Sequence, residues 1–246
     1  MPLLRAQDIT FSHPIGTGGR VAGGVFDVTL DLFPGEIVAV IGPSGGGKSS
    51  LIRLLAGLTR ADSGTLTLDG RPIAELDARD YRRRVAMLFQ QPHMMAGTVA
   101  DNLRLPARLR GEEDNGLDVA GLLRSVDLEP ELMEREAATL SLGQQQRVAL
   151  ARLLAMAPAC LLLDEPTAAL DPVSTQTIVR LLQRLCDDGV AILLVTHEIA
   201  VARRLADRVV VLVAGRVVEA GDVDQVLVAP QSEAAQAFLT AEGAAP

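Results

Sequence analysis

The segment GPSGGGKS at residues 42–49 has the composition and spacing of a phosphate-binding loop. It follows an apolar run typical of a buried strand and leads into a segment with helical spacing. Glycines let the backbone curl so that its amide groups point at a phosphate, and the start of the following helix adds partial positive charge. We expect nucleotide phosphates to contact the following residues: Gly42, Pro43, Ser44, Gly45, Gly46, Gly47, Lys48, Ser49 and Ser50.

Three polar side chains at the end of this loop have separate expected roles. Lys48 supplies a positive charge for the β- and γ-phosphates, Ser49 offers its hydroxyl to Mg²⁺, and Ser50 can reach the α-phosphate. The alternative is a chance glycine-rich turn. Such a turn requires neither a strand before it nor a lysine, a serine and a helix after it. All four are present, so we favour the phosphate-binding interpretation.

The segment LLLDEP at residues 161–166 ends a second apolar strand with two adjacent carboxylates. Asp164, at the carboxyl end of that strand, fits a Mg²⁺-holding role beside a phosphate loop. Glu165 follows, where it could position or deprotonate a water that attacks the γ-phosphate. Alone, the pair fits a helix N-cap equally well. The phosphate loop elsewhere in the chain makes the catalytic interpretation the stronger one.

His197 closes a third apolar strand, VAILLVTH, at residues 190–197. A single histidine at a strand end is more often structural. Ligands of open α/β sheets bind at the carboxyl ends of the strands, however, so we expect His197 to lie near the γ-phosphate. The other two histidines, His13 and His93, are not spaced as metal ligands.

Short apolar strands alternate with helical segments along the chain, which is the pattern of an α/β fold with buried parallel strands. The predicted strands are residues 28–33, 36–42, 64–68, 159–165 and 190–197, with a hairpin over 208–221 that turns at residues 214–215.

No strand pattern is found over residues 91–158, which predicts a helical insert with a polar loop at 111–116. The glycine-rich stretch at 16–24 follows no predicted buried strand, so we interpret it as a mobile hairpin loop rather than a second phosphate loop. After Pro230 we expect one short amphipathic helix and a frayed end.

The 246 residues are 48% hydrophobic but only 2% aromatic, so the core must consist of Leu, Val, Ile and Ala. A net charge of −8 argues against a general binding face for nucleic-acid backbones, which requires a basic surface. Cys160 and Cys186 lie in apolar stretches and are expected to be buried free thiols. We see no signal-peptide pattern, and no charge-free apolar run approaches the ~20 residues of a membrane span.

The segment LSLGQQQR at residues 140–147 resembles the signature motif of ATP-binding cassette (ABC) ATPases, which usually reads L-S-G-G-Q. The phosphate loop, Gln90 in MLFQQP, LLLDEPTAALDP and VTHE resemble further motifs of this family, in the family's order over nearly the whole chain. The resemblance implies an α/β fold with a P-loop NTPase core, an antiparallel β-subdomain and an inserted helical subdomain. On this single domain, the β-subdomain and core would take residues 1–90 and 159–225, the helical subdomain 91–158, and a short tail 226–246.

The resemblance also implies roles for single residues. Gln90 would be the Q-loop glutamine, which senses Mg²⁺ and the attacking water and couples to the partner. Asp164 would hold the metal, and Glu165 would be the catalytic glutamate. Asp171 would be the D-loop aspartate that crosses the dimer interface, and His197 would be the switch histidine.

In this family two cassettes meet head to tail, and each ATP lies between the phosphate loop of one and the signature segment of the other. The resemblance therefore implies ATP and Mg²⁺ as cofactors, and a second copy or a homologous cassette as partner. Ser141, Gly143 and Gln144 would then touch the ATP bound to the opposite subunit. One chain alone is expected to hydrolyse ATP poorly.

Three positions depart from the family pattern. Leu142 stands where the signature usually has its first glycine, and we expect it to slow closure of the dimer. Ala168 replaces a usual serine and removes one hydroxyl contact across the interface. His13 occupies the adenine-stacking position in place of an aromatic residue, and Phe11, two residues earlier, is expected to face the other way in a strand. Adenine affinity should therefore be modest.

The chain resembles the separate ATP-binding subunit of a bacterial-type transporter, because it has none of the coiled coils, zinc segments, second cassette or membrane helices of other family members. This implies a polytopic membrane permease as partner, no nucleic acid, and a cytoplasmic, peripheral place on the inner face of the cell membrane. A soluble ATP-gated clamp and a nucleic-acid-associated ATPase stay open as alternatives. Transported substrate and direction do not follow, although the lack of a long segment after Gly221 counts against sugar and methionine importers.

Contact with a permease is expected at the strip QPHMMAGTVADNL, residues 91–103. Met94 and Met95 are flexible apolar side chains suited to receive a cytoplasmic helix of a membrane subunit. Ordinary core packing of the two methionines is an equally weighted alternative.

Overall fold

The computed structural model describes residues 1–13, 23–111 and 116–242. The strands are β1 (Leu4–Ser12), β2 (Gly24–Leu32), β3 (Ile37–Ile41), β4 (Ser63–Leu68), β5 (Arg71–Pro72), β6 (Val85–Leu88), β7 (Cys160–Asp164), β8 (Ala191–Val195), β9 (Arg208–Val213) and β10 (Arg216–Asp222). The helices are α1 (Lys48–Leu55), α2 (Ala78–Arg84), α3 (Val99–Leu109), α4 (Val119–Ser125), α5 (Leu142–Leu154), α6 (Pro172–Asp187), α7 (Ile199–Leu205), α8 (Val223–Val228) and α9 (Glu233–Ala241).

A six-stranded sheet in the order β10-β9-β3-β8-β7-β6 forms the centre of the molecule. All its pairs are parallel except β9 with β10, whose turn at residues 214–215 is the predicted one. Because β3, β8, β7 and β6 run in the same direction, the segments that follow them meet at one edge of the sheet. The α/β prediction is therefore confirmed.

Both faces of this sheet are covered, which explains the near-continuous apolar runs. In β7, Leu161 and Leu163 face the core shared with the helices α3 to α6. Cys160 and Leu162 face the opposite core, where α1 packs. The thiol of Cys160 is buried, which raises its pKa to about 12. Cys186 is also free but only half-buried in the last turn of α6, so the expectation that both thiols are buried is wrong for Cys186.

A second, antiparallel sheet has the order β2-β1-β4-β5. Its apolar side chains share one core with α1 and the central sheet. In the hairpin of β1 and β2, Ser12 pairs with Gly24, so the predicted glycine-rich loop lies between two strands. Residues 14–22 of that loop are outside the described residues, and its predicted mobility is therefore not addressed.

The helices α3, α4 and α5 lie between β6 and β7 along the chain, and the described part of residues 91–158 contains no strand. The predicted helical insert is thus present, although its division into a subdomain stays a prediction. Most of the polar loop predicted at 111–116 lies outside the described residues, as does the end of the tail beyond residue 242. The short helix expected after Pro230 is α9.

Strands β1, β5 and β6 lie outside the predicted strands. In β1 a register shift between Ala6 and Ile9 interrupts the alternation, and β5 and β6, of two and four residues, are too short to show one. Over the described residues, no helix is both long and apolar enough to cross a membrane.

Candidate active site

A cleft of about 540 Å³ opens at the edge of the central sheet where β3, β8, β7 and β6 end. It brings together residues from six separate parts of the sequence. The lining residues are His13, Gly23, Gly24, Ser44, Gly45, Gly46, Gly47, Lys48, Ser49, Ser50, Gln90, Glu165 and His197. The phosphate loop, Gln90, Glu165, His197 and His13 are therefore neighbours, as the sequence predicted.

The phosphate loop connects β3 to α1, and at Gly42, Gly46 and Gly47 a Cβ would lie within 3.0 Å of backbone oxygens. Gly42 has a φ of +152°, and a Cβ there would lie 2.0 Å from the backbone oxygen of Leu212. Gly47, at φ +100°, would place a Cβ 2.5 Å from the backbone oxygen of Gly24. This close packing leaves a concave backbone surface at the start of α1, where helix amides lack intrahelical partners and favour an anion.

The β9–β10 turn supports the loop from behind. The amide of Gly215 donates a hydrogen bond to the oxygen of Gly46 at 2.9 Å, and the amide of Phe26 donates to the oxygen of Gly215 at 2.8 Å. The turn at residues 214–215 was predicted, but its support of the loop was not. The two glycine-containing segments, 23–24 and 214–215, gave the only indication of such a close approach.

Lys48 is the buried cation of the site, with 8% of its surface exposed. Its Nζ donates hydrogen bonds to the backbone oxygens of Gly42 at 2.7 Å and Pro43 at 2.9 Å. Burial lowers the pKa of its ammonium group, while the nearby carboxylates of Glu165 and Asp164 oppose that shift. A poorly hydrated positive charge at the base of the loop is suited to bind phosphate oxygens.

Asp164 ends β7 with 8% of its surface exposed. Burial raises the pKa of its carboxyl group, and the adjacent charge of Glu165 raises it further. A nearby cation would relieve both effects. The helix that follows begins only at Pro172 and is capped by Asp171, so the structure does not support the alternative that Asp164 and Glu165 cap a helix.

The oxygen donors of this site fit Mg²⁺, because the hydroxyl of Ser49 and the carboxylate of Asp164 are ligand types that Mg²⁺ prefers. In the described part of the chain, no group of three or more His, Cys, Asp or Glu side chains could hold a metal ion. The Ser49 hydroxyl and the Asp164 carboxylate therefore suit a cation whose other ligands are water and phosphate oxygens, as is usual for Mg²⁺.

Glu165 is held at both carboxylate oxygens. Its Oε2 accepts a hydrogen bond from Gln90 Nε2 at 3.0 Å, and its Oε1 lies 3.2 Å from His197 Nδ1. Its φ of +48° is rare for a residue with a side chain, and such strain persists only where the surrounding structure imposes it. The three polar groups predicted from separate motifs therefore form one constellation.

His13 lies on the opposite side of the cleft, with its Nε2 2.9 Å from the hydroxyl of Ser50. Its ring stands edge-on to Phe11, with centroids 4.9 Å apart and planes at 80°. The expectation that Phe11 faces the other way is wrong, because residues i and i+2 of a strand lie on the same face.

The signature residues do not line the cleft of their own chain. Ser141 caps α5 and exchanges two hydrogen bonds with Gln144, in a capping box. A Cβ on Gly143 would lie 2.6 Å from Ser174 Oγ. That hydroxyl donates to Asp171 Oδ2 at 2.6 Å and, with the Ser174 amide, lowers the pKa of the aspartate. The starts of α5 and α6 thus form a second polar surface.

Of the two methionines predicted to contact a partner, Met94 packs against the core of the helical insert, which is the alternative left open for it. Met95 is 49% exposed. A separate groove of about 540 Å³ lies between α2, β6 and α3, and neither methionine lines it.

The family model for the ABC transporter matches residues 25–168, more than half of the chain. The chain belongs to the ABC transporter family. It is therefore an ATP-binding cassette, an ATPase domain with ATP and Mg²⁺ as its cofactors. The fold has the P-loop NTPase core that the sequence motifs implied.

Named relatives come from plants and bacteria. Over 89% of its length this cassette is 47% identical to protein STAR1 of Oryza sativa subsp. japonica and 44% identical to ABC transporter I family member 17 of Arabidopsis thaliana. It is 46% identical over 87% of its length to the methionine import ATP-binding protein MetN of Mesorhizobium japonicum. The matched region spans 62% of STAR1, 81% of the Arabidopsis protein and 60% of MetN.

Solved cassettes have the same fold. A dimeric post-hydrolysis state of the cassette MJ0796 bound to ADP and Pi aligns with a TM-score of 0.79 at 29% identity, covering 89% of this chain and 98% of that one. The structure of cbiO1 from Clostridium perfringens, part of the ABC transporter complex cbiONQ, aligns with a TM-score of 0.79 at 27% identity, covering 92% and 90%.

Proposed function

We propose that this chain is the ATP-hydrolysing subunit of an ABC transporter, which dimerises head to tail around two MgATP and drives transport through a separate membrane subunit. The observation that carries the proposal is the position of Glu165, whose carboxylate lies between Gln90 and His197 in the cleft that contains the phosphate loop. This constellation puts a carboxylate that can accept a proton in the same cleft as a loop suited to bind phosphates.

The phosphate loop would bind the β- and γ-phosphates through its backbone amides and Lys48, which would leave the oxygens of Gly42 and Pro43 to do so. Ser50 would reach the α-phosphate, and His13 would lie against the adenine. The hydroxyl of Ser50 contacts the His13 ring, so the two residues would be ordered together.

Ser49, Asp164 and Gln90 would hold Mg²⁺. When bound, Mg²⁺ neutralises charge on the phosphate oxygens. Asp164 is buried beside Glu165, so it gains most from a cation that restores its ionised form.

Glu165 would accept the proton of the attacking water, or orient that water. The bond from the Gln90 amide fixes one carboxylate oxygen, and His197 holds the other. Gln90, Glu165 and His197 all line the cleft beside the phosphate loop, so a water held by them would lie next to the γ-phosphate. His197 would also touch the γ-phosphate as the switch residue.

Dimerisation is supported by the signature residues, since Ser141, Gly143 and Gln144 lie outside the cleft of their own chain and need another nucleotide to act on. Asp171 accepts a hydrogen bond from Ser174, whose hydroxyl lies next to Gly143. Asp171 would therefore cross the same interface as the signature residues. A dimeric solved cassette of the same fold adds support. The second cassette would be a copy of this chain or a homologue.

A polytopic permease would dock in the groove between α2, β6 and α3, and hold the cassette on the inner, cytoplasmic face of the membrane. Its lining includes the apolar side chains of Met87, Phe89 and Leu109 and the cationic side chains of Arg79 and Arg83. Phe89 is half exposed there and directly precedes Gln90 in the active-site cleft. Contact at Phe89 could therefore reach the attacking water.

The experiment that tests this function is purification of the tagged chain from gently solubilised membranes of its native host. We expect a polytopic membrane protein in stoichiometric amount, and loss of that protein in Phe89→Glu and Leu109→Glu. Val228→Glu, at a half-exposed apolar side chain outside both the groove and the predicted contact strip, is the matched control. Recovery of soluble proteins or nucleic acid alone would contradict the proposal, and co-purification that survives both groove variants would contradict the docking site.

A further inference from the structure

The loops that follow β7 and β8 are joined by three contacts. The amide of Glu165 donates to the backbone oxygen of Val195 at 2.9 Å, and His197 Nδ1 lies 3.2 Å from Glu165 Oε1. In the third contact, Thr167 Oγ1 donates to Glu198 Oε1 at 2.6 Å. Thr167 and Glu198 do not line the cleft, so this last bond lies outside the chemistry described above.

The contact between Thr167 and Glu198 is a strong one. An oxygen–oxygen separation of 2.6 Å is typical of a hydroxyl that donates to an ionised carboxylate. Thr167 is only 2% exposed, so its hydroxyl would be costly to leave without a partner. The bond is partly buried and joins the framework of the two loops.

Glu198 is directed to this bond rather than to its own helix. It occupies the N-cap of α7, yet its side chain makes no capping hydrogen bond. Its backbone is fixed instead by the Thr196 hydroxyl, which accepts from the Glu198 amide at 3.0 Å. The carboxylate is thus held out from the β8 loop towards the β7 loop.

The backbone of the loop after β7 is strained on both sides of Thr167, so a bond at Thr167 can hold it in place. Glu165 has a φ of +48° and Ala169 a φ of +61°, and Thr167 lies between them. Backbone in such conformations stays in place only where neighbours hold it. The amide of Leu170 donates to the Thr167 oxygen at 3.2 Å, so the same residue fixes the loop through its backbone and its side chain.

We propose that Thr167 and Glu198 are a positioning pair for ATP hydrolysis: their bond sets the distance between Glu165 and His197. Thr167 is two residues after Glu165, and Glu198 directly follows His197. The pair does not line the cleft, and acts by keeping both side chains at the spacing that the reaction needs. This inference rests on the proposed ATPase function.

The test measures ATP hydrolysis, ATP affinity and thermal unfolding of the intact chain with its co-purified membrane partner. Thr167→Val and Glu198→Ala each remove the bond. We expect kcat to fall about 10–100-fold, the effect of a misplacement of about 1 Å, with KM for ATP changed less than about threefold. Thr167→Ser and Glu198→Gln keep a donor and an acceptor, and should retain kcat within about threefold of the wild type.

Two further readouts separate positioning from a merely structural role. The double variant Thr167→Val/Glu198→Ala should be no slower than the slower single variant, because one bond is lost in all three. Wild-type kcat in the single variants would overturn the proposal. Equal loss in Glu198→Gln and Glu198→Ala, or kcat, affinity and unfolding temperature that decline together, would overturn it as well. A wild-type chain without Glu165-dependent hydrolysis would refute the proposed function instead.

Discussion

Gly47→Ala probes whether the phosphate loop is held by its close contact with β2. At φ +100° an L-residue is strained by about 1–2 kcal/mol. The added Cβ would also lie 2.5 Å from the backbone oxygen of Gly24, and overpacking of that kind costs about 1–3 kcal/mol more. Gly45→Ala is the matched control for stability, because Gly45 has a φ of +76° but nothing within 4 Å of its Cβ.

Thermal unfolding and ATP binding are the assays for this pair of variants. The extra 1–3 kcal/mol in Gly47→Ala corresponds to an unfolding temperature about 2–12 °C below that of Gly45→Ala. If the loop moves to relieve the contact, the loss appears in ATP binding instead, at about tenfold for each 1.4 kcal/mol. Equal stability and equal ATP affinity in the two variants would refute the argument from close packing.

Three further changes test other parts of the site. His13→Tyr should tighten ATP binding by up to about tenfold, because stacking of a base on an aromatic ring is worth about 1–3 kcal/mol and imidazole supplies less of it; weaker binding in a titration would mean that the bond to Ser50 matters more. Leu142→Gly should raise kcat of the dimer, since Leu142 is 43% exposed at the start of α5; unchanged turnover would show that the leucine does not slow closure. Hydrogen bonds from Ser174 lower the pKa of Asp171 in the folded chain. The ionised carboxylate therefore stabilises the fold at pH values above the pKa of the unfolded chain, and this contribution is lost as the pH falls to the pKa of the folded chain. Asp171→Asn should remove that part of the acid dependence in unfolding below about pH 4, and an unchanged profile would contradict it.

The phosphate loop, Asp164, Glu165 and His197 could be predicted because each lies beside a contiguous apolar strand. Residue types and order within a few positions are enough to place them at a strand end. The parallel sheet then brings those ends together. For these residues the relevant information was local in sequence, which is why they could be predicted.

The remaining features depend on contacts between distant segments. The support of the loop by Gly215 and the bond between Thr167 and Glu198 each join residues far apart in the chain. Glycines at 23–24 and 215 indicate a close approach without naming its partner, and no local pattern indicates the bond. Strand β6 was too short to recognise, and Cys186 is half-buried because helix α6 ends near it. The error on Phe11 was one of strand geometry rather than of sequence.

The central claim is that Glu165 acts on water rather than on nucleotide binding. Glu165→Gln keeps the shape of the side chain and removes its ability to take a proton. Exposed Glu75, outside the cleft, gives the control Glu75→Gln. We predict ATP affinity within about threefold of the wild type, and a kcat lower by about 10²–10⁴-fold, the usual contribution of a general base. Wild-type turnover in Glu165→Gln, or loss of ATP binding with it, would contradict the account.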